Sequence, residues 1–363
     1  MQFKFPTKID RYIIKKFLGT FFFALALIIT IAVVFDFSEK IDDFIEKEAP
    51  AKAIIFDYYL NFIPFFANLF SPLFVFIAVI FFTSKMANDV EIIAILNAGV
   101  SFYRILVPYL VSALIIALIS FYFNGWIIPK ANEKRIDFIH TYVKNPYVSK
   151  DRNIHRQIEK DNFVYMQSFS VQKNTGYQFA YEKFENNDLV YKLIADRIVW
   201  DSTANYWVAE NYFIRELNGL EESITEGHKK ILNIKFHPKE LSFRVRETLA
   251  MNNKELNQFI ISEKERGAGN IEFYEIEYHR RFSFPFATFI LTLIGVSIAS
   301  RKVRGGIGLQ IGFGLVLSFS YIMFMQVSST FATNGSLSPF LAVWIPNIVY
   351  AIIAIYLLKR ASK

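Results

Sequence analysis

Several stretches of this chain carry no charged residue over lengths that can cross a membrane. These stretches are 17–35, 58–84, 105–129, 282–300 and 305–358. A helix needs about 20 apolar residues to cross the hydrocarbon core of a bilayer. The last stretch is long enough for two crossings, and a polar run at 328–336 interrupts it. The sequence therefore predicts six membrane-spanning helices.

The composition is that of an integral membrane protein with room for one soluble domain. Of the 363 residues, 53% are hydrophobic and none is cysteine. The missing cysteine excludes a disulfide framework, a thiolate nucleophile and a cysteine-ligated metal. The net charge of +7 comes from basic residues at the ends of the apolar stretches, which indicates membrane topology rather than nucleic-acid binding. Because ionisable residues inside a membrane mark ion pathways, uncharged spans disfavour a transporter driven by an ion gradient.

Basic residues mark one side of the predicted spans. They occur before span one, between spans two and three, between spans four and five, and after span six, whereas the loop at 36–57 is rich in acid. Since positive residues favour the cytoplasmic side, we expect both termini in the cytoplasm and the large insert after span three on the opposite side. Arg280 and Arg281 are an exception, because they lie at the outer end of span four.

The polar insert after the third span has the pattern of an all-β domain. Runs rich in Tyr, Val, Ile and Phe alternate with turn signals, which predicts short strands. The predicted strands are 163–166, 177–181, 189–200, 206–208 and 212–217. Such strands favour a sandwich or jelly roll. The predicted order is an N-terminal membrane part (1–125), a jellyroll-like domain (126–250), a linker with a short helix (251–279) and a C-terminal membrane part (280–363).

The segment 84–101 joins spans two and three on the predicted cytoplasmic side. Its apolar residues recur at helical spacing and Gly99 can end a helix, so the segment predicts one short helix. An apolar cytoplasmic helix that carries Glu91 can dock in a groove on a partner protein. It can also pack under the membrane as an interfacial helix, and the pattern alone favours that alternative.

The sequence contains no motif for catalysis, nucleotide binding or metal binding. It has no Walker-type phosphate loop, no Gly-x-Ser-x-Gly motif and no metal-ligand spacing among its histidines. Gly308 and Gly312 form a small-xxx-small pair, which predicts close helix packing. We therefore expect no enzymatic activity, no cofactor and no metal. Any directional work would need energy from a separate protein.

Several short motifs are similar to those of one membrane protein family. They are Ile-Asp-Arg-Tyr-Ile at 9–13, the predicted helix at 91–101, Trp-Ile-Ile-Pro at 126–129 and Trp-Ile-Pro-Asn at 344–347. Their order and spacing resemble the permeases of the lipopolysaccharide export system, LptF and LptG (YjgP/YjgQ), and the opening motif resembles LptG more. The resemblance covers the whole chain. It implies a bacterial inner-membrane α-helical protein with three spans, a periplasmic β-jellyroll and three further spans.

The resemblance also implies a mechanism and a set of partners. Members of this family pair with one another and bind a cytoplasmic dimer of the ATPase LptB, which holds ATP and magnesium. They extract lipopolysaccharide and pass it to a periplasmic bridge protein, LptC or LptA. The segment 84–101 would be the coupling helix, in which Glu91 matches the acidic residue that contacts the ATPase. The implied coupling residues are Asp89, Glu91, Ile92, Ile95, Leu96 and Gly99.

A further implication is a rim of cations that binds the phosphates of the lipid at the outer end of the spans. Lys40 matches a basic position of the family, whereas the position before Phe35, which is basic in some members, is Val34 here. The implied rim cations are Lys40, Lys130, Lys134, Arg135, Arg280 and Arg281. Phosphate binding would explain why Arg280 and Arg281 lie at the outer end of a span, where the positive-inside rule disfavours basic residues. Contact with anionic headgroups or with the acidic residues at 36–48 is an equal alternative.

A second hypothesis is a membrane-anchored periplasmic scaffold or sensor protein without transport activity. Such a protein needs neither a lipid cavity nor an ATPase. Crosslinking from its spans distinguishes the two hypotheses, because only a transporter should yield lipid adducts.

Overall fold

The computed structural model describes residues 6–143, 152–170, 172–186, 188–219, 221–234, 236–238, 245–267, 271–301 and 306–361. The chain divides into two compact units. The helical unit comprises Met1–Val143, Leu249–Asn253 and Glu275–Lys363. The β unit comprises Lys144–Thr248 and Lys254–Tyr274.

Helices make up most of the described residues. They are α1 (Lys8–Glu46), α2 (Ala51–Asn88), α3 (Glu91–Asn97), α4 (Phe102–Tyr142), α5 (Asn253–Glu265), α6 (Ile271–Ala299), α7 (Gly306–Thr333) and α8 (Pro339–Ala361). A 3₁₀ helix covers Val245–Ala250, and π-helical turns occur in α2 at Ile54–Tyr59 and in α4 at Phe123–Ile127.

Six of these helices are long and apolar enough to cross a membrane, namely α1, α2, α4, α6, α7 and α8. The predicted six spans are therefore confirmed. The longest apolar stretch is divided between α7 and α8 by a turn in which Gly335 has φ +75°. Pro339 begins α8, a position that suits proline because the first helical N–H has no partner inside the helix.

α4 continues past the boundary predicted at residue 126 and ends only at Tyr142. Its last part is amphipathic rather than uniformly apolar. Phe138 packs against Phe44 of α1 and Tyr58 of α2, with ring centroids 5.7 Å and 5.2 Å away. Because one face of this last part packs against α1 and α2, α4 continues beyond the residue at which the loss of hydrophobicity predicts the end of the span.

The prediction of one helix over 84–101 is wrong. α2 continues to Asn88, and α3 covers only Glu91–Asn97. Val90 lies between them with φ +62°, a left-handed conformation that interrupts a right-handed helix. Met86, which lies within the predicted helix, is buried as part of α2.

Two apolar clusters form the core of the helical unit, and α2 contributes to both. Val75 and Val79 of α2 belong to a first cluster with residues of α1, α3 and α4. Phe76 and Ile80 belong to a second cluster with residues of α6, α7 and α8. α2 therefore connects the two halves of the membrane-spanning part.

The close packing predicted at Gly308 and Gly312 is not made within the described part of the chain. No neighbouring atom lies within 4 Å of the place that a Cβ would take at either glycine. The close approaches are elsewhere: a Cβ on Gly295 of α6 would lie 2.8 Å from Cγ1 of Val79, and one on Gly314 of α7 would meet Ile80. The small-xxx-small spacing alone therefore did not predict which glycines pack closely against a neighbouring helix.

The inserted β domain is confirmed. Its strands are β1 (Arg152–Glu159), β2 (Asn162–Ser170), β3 (Thr175–Glu185), β4 (Asp188–Asp201), β5 (Tyr206–Asn218) and β6 (Glu221–Leu232). They form one antiparallel sheet in the order β1-β2-β3-β4-β5-β6, so each described strand pairs with its neighbour in sequence, without the crossovers of a jelly roll.

β1 and β6 have no counterpart among the predicted strands. Both are rich in charged residues, and β6 is exposed along nearly its whole length, so neither shows apolar alternation. The two runs at 206–208 and 212–217 are parts of the single strand β5. Pairing with β5, rather than local hydrophobicity, holds β6 in the sheet.

The β unit has a core of its own. Trp207 is fully buried, and its Nε1 donates a hydrogen bond to the carbonyl of Phe236 at 2.7 Å. α5, the predicted helix of the linker, belongs to this unit except for its first residue. An ion pair joins it to the sheet, in which Nη2 of Arg156 lies 3.1 Å from Oε2 of Glu263.

Candidate functional site

α3 is a short helix with a defined backbone conformation at both ends. At its start, the left-handed conformation of Val90 costs an ordinary residue about 1–2 kcal/mol. At its end, Gly99 has φ +83°, and the N–H groups of Gly99 and Val100 donate to the carbonyls of Leu96 (3.0 Å) and Ile95 (3.4 Å). This pair of bonds is a Schellman motif, which confirms Gly99 as the end of the helix.

The apolar side chains of α3 face two directions. Ile92 is 3% exposed within the first apolar cluster, and Ile95 packs against that cluster. Val90, Ile93 and Leu96 are 46%, 45% and 37% exposed and form what we call the α3 patch. The implied coupling residues are thus divided. Leu96 is accessible to a partner, whereas Ile92 and Ile95 pack α3 against the rest of the unit. Ile93 is accessible but lies outside the implied coupling residues.

Two acidic residues accompany the α3 patch. Asp89 is exposed, whereas Glu91 is half-buried. The hydroxyl of Tyr12 donates to Glu91, with distances of 3.3 Å to Oε1 and 3.2 Å to Oε2. Tyr12 belongs to the opening motif of the chain, for which the sequence by itself indicates no contact. The structure therefore joins the start of α1 to the proposed coupling helix.

A second residue of the opening motif makes a buried ion pair. Asp10 is 1% exposed, and Nη1 and Nη2 of Arg104 donate to its two carboxylate oxygens at 2.7 Å and 2.6 Å. Asp10 also accepts from the backbone N–H of Thr7 at 2.7 Å and from its hydroxyl at 2.9 Å, which completes a capping box at the start of α1. Neither Asp10 nor Arg104 is among the site residues that the sequence predicts.

The implied rim cations have very different surroundings. Lys40 of α1 forms an ion pair with Asp36, and its Nζ lies 5.7 Å from the ring centroid of Tyr58. The hydroxyls of Tyr58 and Tyr59 also donate to Asp36, at 3.2 Å and 3.3 Å. Lys40 is therefore held by an acid and aromatic rings, with 20% of its side chain exposed.

α4 carries three of the implied rim cations. Lys130 and Lys134 are exposed, and their spacing of four residues puts them on one face of the helix. Arg135 is 7% exposed, and its guanidinium lies 4.8 Å from the ring centroid of Phe65 in α2. The two lysines are accessible to an anionic ligand, whereas Arg135 packs between helices.

Arg280 and Arg281 are neighbours in α6 but differ in burial. Arg281 is 4% exposed, and its Nη1 donates to the carbonyl of Met251 at 2.7 Å and to Oδ1 of Asn253 at 3.1 Å. These contacts join α6 to the segment Leu249–Asn253 of the helical unit. They explain why Arg281 lies at this end of the span. Arg280 is half-buried.

A cavity of about 210 Å³ lies among α1, α2 and α4. It is lined by Phe21, Phe22, Leu25, Ala67, Asn68, Ser71, Ile116, Ile119, Ser120 and Phe123. Two of its polar residues are connected, since Ser120 donates to Oδ1 of Asn68 at 2.6 Å. Nδ2 of Asn68 in turn donates to Oδ1 of Asn124, outside the cavity lining, at 2.9 Å. Such bonds join helices within a membrane. The apolar walls provide space for part of a lipid chain.

Comparison with known proteins identifies a family that covers nearly the whole chain. A comparison with curated proteins gave no match. A family model described as lipopolysaccharide export system permease LptF/LptG matches residues 11–360. That range covers almost all of α1, the β sheet and the five other spans in the order that the structure has them. The chain therefore belongs to the LptF/LptG family of lipopolysaccharide export permeases.

Proposed function

We propose that this chain is one permease subunit of an ATP-binding-cassette transporter that extracts lipopolysaccharide from the inner membrane and passes it to the periplasmic bridge, LptC or LptA. The observation that carries the proposal is the family match over residues 11–360. Family membership makes the chain a multi-pass inner-membrane permease rather than an enzyme. The assembly with an ATPase and the transfer of the lipid are the proposed part.

The coupling step is proposed to occur at α3. Its patch of Val90, Ile93 and Leu96 is exposed and apolar, and Asp89 and Glu91 add negative charge beside it. A short helix with apolar anchors and an acid suits a groove with a basic rim on a partner. We propose that this partner is the LptB dimer, which would supply ATP and magnesium. Ile92, Ile95 and Gly99 would support the helix from behind rather than contact the ATPase.

The direction of transport follows from the proposed orientation. The basic residues at the start of α1 and at the end of α8 favour the cytoplasm, which puts both termini and α3 on the proposed cytoplasmic side. The β unit would then be periplasmic, where it can receive the lipid.

The phosphates of the lipid are proposed to meet the rim cations. Lys130 and Lys134 are the best direct ligands because both are exposed on one face of α4. Lys40 would have to exchange its contact with Asp36 for a phosphate, and Arg280 would have to extend from its half-buried position. Arg135 and Arg281 would contribute positive charge from buried positions, without direct contact.

A second permease of the same family is the proposed partner within the membrane. α1 exposes Phe23, Val34 and Phe35, and α7 exposes Phe313 and Val316. Gly308 and Gly312 also have open space beside them, so another subunit can approach α7 closely there.

The proposal is tested by purifying the tagged chain from membranes and identifying the proteins and lipids that accompany it by mass spectrometry. We expect a second permease, a small ATPase and lipopolysaccharide. Glu91→Lys should reduce retention of the ATPase about tenfold or more, because it reverses a charge at the proposed interface. Glu226→Lys, the same reversal at an exposed residue of β6, should leave retention unchanged.

Two results would contradict the proposal. Equal ATPase retention in the wild type and in Glu91→Lys would exclude α3 as the coupling helix. Recovery of neither an ATPase nor lipopolysaccharide with the wild type would favour the scaffold or sensor hypothesis.

A further inference from the structure

We propose that the opening motif of the chain is a positioning device, in which Asp10 and Tyr12 tie the start of α1 to α4 and α3, so that α1 moves together with the coupling helix. The proposal rests on the docking of an ATPase at α3 proposed above. It assigns a role to Asp10, Tyr12 and Arg104, which lie outside the implied coupling residues.

The first observation is the rigid connection between the starts of α1 and α4. The carboxylate of Asp10 and the guanidinium of Arg104 form two parallel hydrogen bonds, a geometry that fixes orientation as well as distance. Thr7 supplies two further donors to the same carboxylate, so the buried charge is well satisfied. The two helix starts are therefore expected to move as one body.

The second observation is the contact between α1 and α3. The hydroxyl of Tyr12 lies within hydrogen-bond distance of both carboxylate oxygens of Glu91. Further along α1, Ile13 and Phe17 share the first apolar cluster with Ile92 of α3. α1 thus makes a polar contact with a helix of only seven residues and shares an apolar cluster with it.

The third observation concerns the packing of α1 against the rest of its own chain. Only 17% of its most apolar window is buried inside the chain, the lowest share among the six spans and well below the 61% of α6. Most of the buried residues of α1 lie in its first half, between Asp10 and Leu25, so the contacts that hold α1 within this chain are concentrated near its start. A displacement of α3 can therefore reach α1 through Tyr12 and through the apolar cluster that the two helices share.

The backbone beside α3 supports the same conclusion. Val90 holds a left-handed conformation that a β-branched residue adopts only when its surroundings enforce it. The contacts of Glu91 and Ile92, the next two residues, supply that constraint. α3 is thus held to α1 by side chains, while its backbone link to α2 passes through a strained residue.

The test uses the assembled transporter, purified with its partners and reconstituted in lipid vesicles that contain lipopolysaccharide. Two quantities are measured: retention of the ATPase, and the amount of lipid extracted per ATP hydrolysed. Tyr12→Phe removes the hydroxyl and keeps the ring. We expect unchanged retention and a roughly fivefold lower extraction per ATP, the factor that one net hydrogen bond provides.

A matched control and a second variant complete the design. Tyr356→Phe makes the same change at an exposed tyrosine near the end of α8 and should alter neither quantity. Glu91→Gln keeps the shape of the side chain but removes its charge. If Tyr12 acts through Glu91, the double variant Tyr12→Phe/Glu91→Gln should lose no more extraction per ATP than Glu91→Gln alone.

The outcomes separate this inference from the proposed function. Unchanged extraction per ATP in Tyr12→Phe, with the ATPase still bound, would overturn the link between α1 and α3 and leave the transporter proposal intact. Fully additive losses in the double variant, or loss of ATPase retention in Tyr12→Phe, would also overturn it. Absence of a bound ATPase in the wild type would overturn both.

Discussion

At the scale of single residues, Asp10 illustrates how a buried charge is accommodated beside a membrane. The carboxylate accepts from Arg104 and Thr7, while the side chain of Arg104 is 19% exposed. A buried ion pair adds little net stability over an apolar pair, but removal of one partner leaves the other buried and uncompensated. The Asp10–Arg104 pair therefore fixes how the starts of α1 and α4 pack against each other rather than adding much net stability.

Asp10→Asn should lower the free energy of unfolding by about 3 kcal/mol, because it leaves the guanidinium of Arg104 without its anionic partner. Denaturant unfolding in detergent, followed by circular dichroism, measures the change. The double variant Asp10→Asn/Arg104→Gln should lose less than the sum of the two single variants. Simple additivity of the two losses would argue against the pair as a coupled unit.

At the scale of elements, the helical unit depends on the close approach of α2 and α6. Val79 is fully buried against Gly295, and the second cluster continues the contact through Phe76. A valine has one strongly preferred rotamer in a helix, so it cannot easily turn away from an added methyl group. The absence of a side chain at Gly295 is therefore a requirement of packing.

Gly295→Ala should destabilise the isolated subunit by about 1–3 kcal/mol, since the new Cβ would lie 2.8 Å from Cγ1 of Val79. Gly312→Ala is the matched control, because it has open space and alanine favours a helix by up to about 1 kcal/mol. Thermal unfolding in detergent should separate the two variants. A larger loss for Gly312→Ala would contradict this assignment of the packing glycines.

At the scale of the whole molecule, six spans carry a β unit inserted between the third and the fourth. An even number of spans puts both termini on one side of the membrane, and the insert lies after an odd number of crossings. The β unit and the termini are therefore expected on opposite sides. We propose the cytoplasmic side for the termini, because the distribution of basic residues favours it.

The absence of native cysteine allows a direct test of this orientation. Cysteine is introduced singly at Lys8 near the start of α1, at Ser202 in the β unit and at Asn334 between α7 and α8, all of them exposed. In spheroplasts, a membrane-impermeant maleimide should label the variants at 202 and 334, and the variant at 8 only after permeabilisation. Labelling of the variant at 8 before permeabilisation would reverse the orientation.

The sequence by itself determined the features that depend on local chemistry. Uncharged apolar length predicts the six spans, alternating strands and turns predict the β domain, and Gly99 predicts the end of α3, because each signal is confined to a short stretch of chain. The motifs near 9–13 and 344–347 also led to the correct family.

Only the tertiary structure decided the features that depend on distant partners. Asp10 and Arg104 are 94 residues apart, and β6 is a strand because β5 pairs with it despite its polar sequence. The burial of Arg281 and the close contact at Gly295 likewise depend on which helix lies opposite. The physical reason is that hydrophobicity and turn preference are properties of a segment, whereas ion pairing, strand pairing and steric fit are properties of two segments brought together by folding.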